Sequence, residues 1–285
     1  MQFTTPLRYP GGKGRLSQYI ANVISANRLV GGDYAEVYAG GAGVAVTLLG
    51  LEYVRHIHIN DVNRAVHAFW WAVLSRTEDL CRRIETCVVS MEEWQRQRAI
   101  QAEPDPDPLD LGFSTFFLNR TNRSGIVLGG VIGGKEQSGK WKLDARFNRV
   151  DLIERVRRIG RLRRRINLYN MDAAAMIAEV LPGIPRRSLV YLDPPYYVKG
   201  AGLYEHHYRH VDHVEIARLV RTINQPWLVS YDNAPQITQL YQDYRQQTFG
   251  LNYSANRRYS GSEVMVFSNG LVTPPKVFVS RAAVA

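Results

Sequence analysis

Residues 34–49, YAEVYAGGAGVAVTLL, combine a short apolar run, a glycine-rich turn and the first turns of a helix. A second apolar run at residues 55–59 leads to Asp61, about 20 residues beyond the glycines. The glycines allow close approach of the backbone to a ligand, and an acid at this distance suits ribose hydroxyls. The pattern predicts a strand–turn–helix unit that binds a nucleoside-containing cofactor.

The same organisation continues along the chain. Residues 188–192 form another buried-strand pattern directly before Asp193, and later strands are predicted in WLVSYDN (227–233) and EVMVFSN (263–269). Helical patterns occur at residues 16–24, 43–49, 62–74 and 211–222. This alternation predicts an α/β fold with a Rossmann-like open sheet, whose ligand site lies outside the strand ends.

The alternation stops between about residues 75 and 167, which we interpret as an inserted, mostly helical unit. The run AEPDPDPLD (102–110) is too rich in Pro and Asp for a core element, and residues 126–140 form a glycine-rich loop or hairpin. Residues 1–74 and 168–285 are then predicted to form the cofactor-binding catalytic domain around the insertion.

Charge points to a polyanion as partner. Lys and Arg number 36 against 26 Asp and Glu, giving a net charge of +10. Seven arginines fall within residues 155–165, on a predicted amphipathic helix that is either a solvated face or a stripe that contacts phosphates. No apolar run reaches about 18 residues and no leader pattern is present, so we expect a cytoplasmic protein without membrane association. Cys81 and Cys87 match no metal or redox spacing, which predicts reduced thiols and no bound metal.

The most specific motif is Asp193-Pro194-Pro195-Tyr196, directly after the strand pattern LVYL. An exocyclic amine on a nucleobase is a poor nucleophile, because its lone pair is delocalised into the ring. The Asp193 carboxylate and the Pro194 carbonyl can accept its two N–H bonds, and Tyr196 offers a face on which an extruded base can stack. An ordinary proline turn is the alternative interpretation.

The N-terminal segment LRYPGGKGRL carries Tyr9 and Lys13. On its own it is typical of a Pro-Gly-Gly turn with an exposed lysine. Beside the other motifs, Tyr9 is predicted to pack on an aromatic ring, and Lys13 to pair with a cofactor carboxylate.

Taken in order, LRYPGGK, VYAGGAG, INDVN, FFLNRTNRSG and LVYLDPPYY resemble the adenine-specific DNA methyltransferase family that includes DNA adenine methylase, over about residues 6–235. The resemblance implies transfer of a methyl group from S-adenosylmethionine to adenine N6 in double-stranded DNA. It implies that Asp193, Pro194, Pro195 and Tyr196 hold the target adenine. The cofactor contacts that it implies are Tyr9, Lys13, Glu36, Asp61, Asp172 and Asp193.

The segment FFLNRTNRSG further resembles the family's entry into target recognition, which implies DNA contacts by Asn119, Arg120 and Arg123. Beyond Arg123 the sequence departs from the GATC-methylating pattern, so the recognised sequence stays open. Three other functions also stay open: cytosine N4 methylation on the same fold, a nicotinamide-dependent oxidoreductase that uses the GGAG loop, and a DNA-binding protein without activity. We expect a monomer in solution.

Overall fold

The computed structural model describes residues 5–8, 13–198, 208–253 and 259–274. Within them a seven-stranded sheet has the order β3-β2-β1-β4-β5-β7-β6. The strands are β1 (Asp33–Glu36), β2 (His56–Asn60), β3 (Ile166–Tyr169), β4 (Ser188–Leu192), β5 (Trp227–Asp232), β6 (Arg245–Tyr253) and β7 (Tyr259–Phe267). The first five strands run parallel, and β7 is antiparallel to both of its neighbours. The predicted Rossmann-like α/β fold is confirmed.

The helices in the described residues are α1 (Ser17–Ala26), α2 (Gly43–Gly50), α3 (Arg64–Ser75), α4 (Thr77–Thr86), α5 (Met91–Ala102), α6 (Pro108–Thr121), α7 (Arg149–Gly160), α8 (Ala173–Ala175), α9 (His210–Val220) and α10 (Pro235–Leu240). Local sequence explains several of their starts. Asn63 caps α3 by accepting from Ala65 N at 2.8 Å, and Asp107 caps α6, which begins with Pro108. A 3₁₀ turn, Lys13–Leu16, precedes α1.

Both faces of the sheet are buried. Successive strand residues point to opposite faces, so Tyr34 and Leu189 contribute to one core and Ala35 and Val190 to the other. Helices α1 to α7 contribute to the first core, and α8 to α10 contribute to the second. This double coverage explains why the parallel strands are apolar without alternation.

The inserted helices α4 to α7 lie in sequence between α3 and β3 and share the first core. Phe147 packs against Phe116 and Phe117, and all three belong to the same cluster as the sheet residues. A Cβ added to Gly112 of α6 would lie 2.6 Å from the Ala68 carbonyl oxygen of α3, so glycine permits the close helix contact. The insertion is continuous with the catalytic core, and its division into a separate domain stays a prediction.

Candidate active site

The carboxyl ends of the parallel strands bring acidic side chains to one edge of the sheet. Glu36 ends β1, and Asp193 directly follows β4. Asp61 and Asp172 come shortly after β2 and β3 at the same edge. The strand order reverses between β1 and β4, which is where doubly wound sheets bind ligands. Four acidic residues predicted from separate motifs therefore share the expected edge.

Asp193 directs one carboxylate oxygen towards the protein. Its Oδ1 accepts a hydrogen bond from Ser230 Oγ at 2.6 Å and lies 3.3 Å from Lys13 Nζ. The Ser230 hydroxyl is itself 2.7 Å from the Tyr191 hydroxyl. The Asp193 side chain is still 19% exposed, so a group in the crevice can reach its carboxylate. This geometry suits an acceptor for an incoming N–H group.

Lys13 joins Asp193 to two further residues. Its Nζ donates to Glu263 Oε2 at 2.5 Å and to Tyr196 Oη at 3.0 Å. The Tyr196 hydroxyl donates to Glu263 Oε1 at 2.5 Å. The sequence predicted a cofactor carboxylate as the partner of Lys13, whereas the structure supplies two carboxylates of the protein. We name Lys13, Asp193, Tyr196 and Glu263 the lysine cluster.

Burial is the largest influence on ionisation in the lysine cluster. It raises the pKa of Asp193 and of Glu263, while Lys13 opposes both shifts. Burial alone would lower the pKa of Lys13, but the charges of Asp193 and Glu263 outweigh it and raise that pKa. Lys13 therefore stays an ammonium ion at neutral pH, shared between two carboxyl groups.

Glu263 and Asp232 were not predicted as site residues. Antiparallel pairing of β7 with β5 sets Glu263 opposite Asp232, at the same edge as Asp193. The Asp232 carboxylate accepts the N–H groups of Tyr197 at 2.8 Å and Val198 at 2.9 Å, which holds the chain as it leaves the DPPY motif. No local signal marks Glu263, because its partner Lys13 is 250 residues away in sequence.

The glycine-rich turn is held against Asp61, whose predicted contact with the cofactor ribose stays a prediction. Gly40 N donates to Asp61 Oδ2 at 2.8 Å, and Asn63 N donates to Asp61 Oδ1 at 2.9 Å. The Trp70 indole donates to the Gly40 carbonyl at 2.9 Å, and Gly40 itself has a φ of 47°. Glycine adopts this left-handed conformation without steric cost, which permits the turn.

Glu36 lies beneath the same turn and is only 4% exposed. Its Oε1 accepts from Tyr34 Oη at 3.1 Å and from Ala45 N at 3.0 Å, so it ties β1 to α2. Burial, the largest cause, raises the pKa of Glu36 to about 8. The raised pKa favours the neutral form of this carboxyl group, and its hydrogen bonds to Tyr34 and Ala45 support the turn.

The other predicted cofactor and target contacts lie in different settings. Asp172 is exposed after β3 and caps α8 by accepting from Ala174 N at 2.8 Å. Tyr196 is only 2% exposed, so little of its ring face is open to a base. Tyr9 lies outside the described residues.

Asn119 occupies the interior, which argues against the predicted direct contact with DNA. Its Oδ1 accepts from Arg8 N at 2.7 Å, and its Nδ2 donates to the carbonyls of Arg8 at 2.6 Å and Gly125 at 2.8 Å. These bonds use both amide hydrogens, and the side chain is 1% exposed. Asn119 instead fastens the N-terminal segment to the end of α6. Arg123 is exposed in the next turn, as a DNA contact requires.

Arg120 is buried among other arginines. It is 8% exposed, and within the described residues neither its Nε nor Arg155 Nε has a hydrogen-bond partner. Burial, followed by the charges of Arg155 and Arg8, lowers the pKa of Arg120 to about 9, and Arg146 adds to the effect. The charge of Asp151 opposes this shift in the pKa of Arg120, and Asp151 pairs with Arg155 at 2.8 Å. We name Arg8, Arg120, Arg146 and Arg155 the arginine cluster.

The prediction that residues 155–165 form one regular helix is wrong. Helix α7 ends at Gly160, and Arg163–Arg165 form a 3₁₀ turn directly before β3. That turn lies at the amino edge of the parallel strands, opposite to Asp193. Four of the seven arginines also pair with acidic residues: Arg155 with Asp151, Arg157 with Glu78, Arg158 with Glu154 and Arg165 with Glu52. For the arginines from Arg157 to Arg165, the geometry favours a solvated face over a stripe that contacts phosphates beside the site.

A sequence profile of the D12 class N6 adenine-specific DNA methyltransferase family matches residues 9–257. The chain belongs to this family. It is therefore an enzyme of the adenine-specific DNA methyltransferase class, its cofactor is S-adenosylmethionine, and its sheet is the Rossmann-like sheet of such methyltransferases. The nicotinamide-dependent alternative does not apply to this methyltransferase.

Solved methyltransferase structures resemble this D12 enzyme at low sequence identity. A proposed RNA methyltransferase, PH1948 from Pyrococcus horikoshii, is 9% identical, with 89% of this chain and 80% of that chain covered and a TM-score of 0.42. Precorrin-6y C5,15-methyltransferase from Geobacter metallireducens is 13% identical, with 87% and 86% covered and a TM-score of 0.36. A proposed class I S-adenosylmethionine-dependent methyltransferase from Listeria monocytogenes is 11% identical, with 92% and 62% covered and a TM-score of 0.37. Among curated proteins, none matches the sequence.

Two further observations concern metal binding and membrane association of this D12 methyltransferase. Across the described residues, no group of three or more His, Cys, Asp or Glu side chains is arranged to hold a metal ion. Among the helices in this part of the chain, none is both long and apolar enough to cross a membrane.

Proposed function

We propose that this methyltransferase transfers the methyl group of S-adenosylmethionine to N6 of adenine in double-stranded DNA. The observation that carries the proposal is the placement of Asp193, whose Oδ1 is held by Ser230 at 2.6 Å while the side chain stays partly exposed. The adenine amine needs an acceptor for its N–H groups, because pyramidal geometry restores the nucleophilic lone pair. The family membership supports adenine as the target base.

The DPPY motif supplies the remaining target contacts in this proposal. Asp193 accepts one N–H of the amine and the Pro194 carbonyl accepts the other. Asp232 fixes the backbone that follows through its bonds to Tyr197 and Val198. S-adenosylmethionine supplies an activated methyl group on its sulfonium. The methylated amine is briefly cationic and acidic, and Asp193 or water accepts the proton that it loses.

The donor groups at the carboxyl edge fit S-adenosylmethionine. Asp61 lies beside the Gly40 backbone, where its carboxylate suits ribose hydroxyls. Asp172 is exposed at the end of the next strand, where it suits the amine of the cofactor adenine. A Cβ at Gly43 would lie 3.4 Å from Gly14 Cα, so the turn and the N-terminal segment pack closely around this edge. Glu36 acts from beneath by holding the turn.

The arginine cluster supports a nucleic-acid substrate. Guanidinium groups bind phosphate with charge-assisted hydrogen bonds, and the charges of Arg8, Arg146 and Arg155 act against the charge of Arg120. Asn119 anchors the backbone of Arg8 beside them. A phosphate of the DNA backbone would reduce the repulsion between the positive charges of the arginine cluster. Within double-stranded DNA, the adenine must leave the helix to reach Asp193.

The test is single-molecule sequencing of DNA from cells that express the chain, with Asp193→Ala as the control. The proposal predicts N6-methyladenine in one sequence context, absent from the control. Methylation at cytosine N4 would assign the enzyme to the alternative base. Unmethylated DNA from cells that hold folded protein would favour the alternative of a DNA-binding protein without activity.

A further inference from the structure

The lysine cluster contains a carboxylate that the proposed reaction does not use. Glu263 is 1% exposed and lies on β7, whereas Asp193 follows β4. Both acids contact the ammonium of Lys13, but Glu263 lies at 2.5 Å and Asp193 at 3.3 Å. The shorter contact shows that Glu263 takes the larger share of the ammonium.

We propose that Glu263 is a positioning residue for methyl transfer, which holds Lys13 away from Asp193 and so keeps the Asp193 carboxylate available to the target amine. This inference rests on the proposed function, because it assumes that Asp193 accepts an N–H from the target.

The contacts of Lys13 give the physical reason. An ammonium has three N–H donors, and those of Lys13 face Glu263, the Tyr196 hydroxyl and Asp193. Without the Glu263 charge, Asp193 becomes the single carboxylate of the cluster, and Lys13 is expected to move closer to it. A carboxylate that binds an ammonium tightly is a weaker acceptor for a neutral amine. Glu263 also accepts from Tyr196, so it orients the last residue of the DPPY motif.

Charged and titratable groups surround Asp193 on several elements. They are Lys13 of the N-terminal 3₁₀ turn, Tyr34 and Glu36 of β1, Tyr191 of β4, Tyr196 of the DPPY motif, and Glu263 of β7. Lys13 lowers the pKa of Asp193. The charge of Asp193 raises the pKa of Glu263, and because repulsion between two carboxylates is mutual, the charge of Glu263 opposes the effect of Lys13 on Asp193. Removing Glu263 should therefore lower the pKa of Asp193, whereas removing both Glu263 and Lys13 should raise it.

The experiment compares Glu263→Gln with the parent in steady-state methyl transfer across pH. Glu93→Gln is the matched control, because Glu93 is also a buried glutamate, paired with Arg96 in the inserted helix α5. Tyr196→Phe separates loss of the hydroxyl contact from loss of the charge. The double variant Lys13→Met/Glu263→Gln removes both the ammonium and the carboxylate, so neither charge is left buried without the other. Circular dichroism establishes that each variant is folded.

We expect Glu263→Gln to lower kcat by about tenfold or more and to change the KM for S-adenosylmethionine little, since the substitution acts on the target side. The acidic limb of its pH profile should move to lower pH, and that of Tyr196→Phe should stay in place. The protonation of Asp193 can also be followed without turnover by infrared difference spectroscopy, with Asp193→Asn identifying its band. In the infrared measurement, Asp193 of the double variant should titrate at higher pH than Asp193 of the parent.

Several outcomes would overturn the inference. The first is a kcat of Glu263→Gln equal to that of Glu93→Gln, and the second is an acidic limb of its pH profile that does not move. The third is a shift in the pKa of Asp193 that has the same sign in Glu263→Gln and in the double variant. A parent enzyme that methylates no adenine would instead refute the proposed function, and the infrared titration would still test the contacts of Lys13.

Discussion

Replacing Glu36 by Gln tests how the glycine-rich turn is supported. Glu36 is buried, its Oε1 accepts from Tyr34 and Ala45, and burial raises its pKa from 4.5 to about 8. The folded protein therefore favours the neutral acid. Below the unfolded pKa, Glu36 is protonated in both states and carries no penalty. As pH rises from about 4.5 to 8, the unfolded chain ionises while the fold retains the proton, so stability is lost.

The magnitude follows from the size of this window. Within it, the parent should lose about 1.4 kcal/mol of unfolding free energy per pH unit relative to a variant that does not ionise. Between about pH 5.5 and 7.5, the unfolding free energy of the parent should therefore fall by roughly 2.7 kcal/mol more than that of Glu36→Gln. The Gln amide oxygen can accept the same two hydrogen bonds, so the variant should keep the turn.

Urea denaturation of cofactor-free protein at these two pH values provides the assay. Glu179→Gln serves as the control, because it removes a carboxylate from an exposed position. All other titrating groups are shared by parent and variant, so they cancel in the difference. Equal pH dependence of parent and Glu36→Gln would refute the reasoning, since it would mean that Glu36 is ionised in the folded state.

Three more substitutions test other parts of the structure. Asp61→Ala should weaken S-adenosylmethionine binding by about 1.5–3 kcal/mol, because ribose hydroxyls lose a charged acceptor. Calorimetric titration measures the Kd, and an unchanged Kd would argue against the cofactor contact. Arg120→Gln should weaken binding to duplex DNA and reduce the salt slope by about 0.9 if one phosphate contact is lost, as measured by fluorescence anisotropy. The control Arg157→Gln removes an arginine already paired with an acid, and equal effects of the two variants would contradict the arginine cluster. Asn119→Ala should lower the unfolding free energy by about 2–3 kcal/mol, because buried backbone groups lose their partners. If chemical denaturation gave an unfolding free energy within about 0.5 kcal/mol of the parent, Asn119 would not be the anchor of the N-terminal segment.

The fold was predictable where strands are apolar over their whole length. The pattern at residues 188–192 coincides with β4, which is buried on both faces. Strands β3 and β6 were not predicted. Strand β3 is four residues long and follows a run of arginines, and β6 begins with the polar sequence RQQ at the edge of the sheet. Short or polar edge strands carry little periodic signal, and pairing with a neighbour decides them.

The site was predictable where one residue follows a strand directly. Asp193 and Asp61 lie at the strand ends that their motifs indicated. The roles of Glu263 and Asn119 depend on contacts between distant segments, with Lys13 in one case and Arg8 in the other. Spacing along the chain carries no information about such contacts, which arise from antiparallel pairing of β7 and from packing of the N-terminal segment on α6.

The central claim is that the Asp193 carboxylate activates an adenine amine in DNA for methyl transfer. The most direct measurement incubates purified protein with duplex DNA and S-adenosylmethionine labelled in its methyl group, and identifies the labelled nucleoside by mass spectrometry. The parent should produce labelled N6-methyladenine, while Asp193→Asn, which bears an amide in place of the charged acceptor, should produce almost none. Label in another nucleoside, or activity of Asp193→Asn within about tenfold of the parent, would contradict the claim.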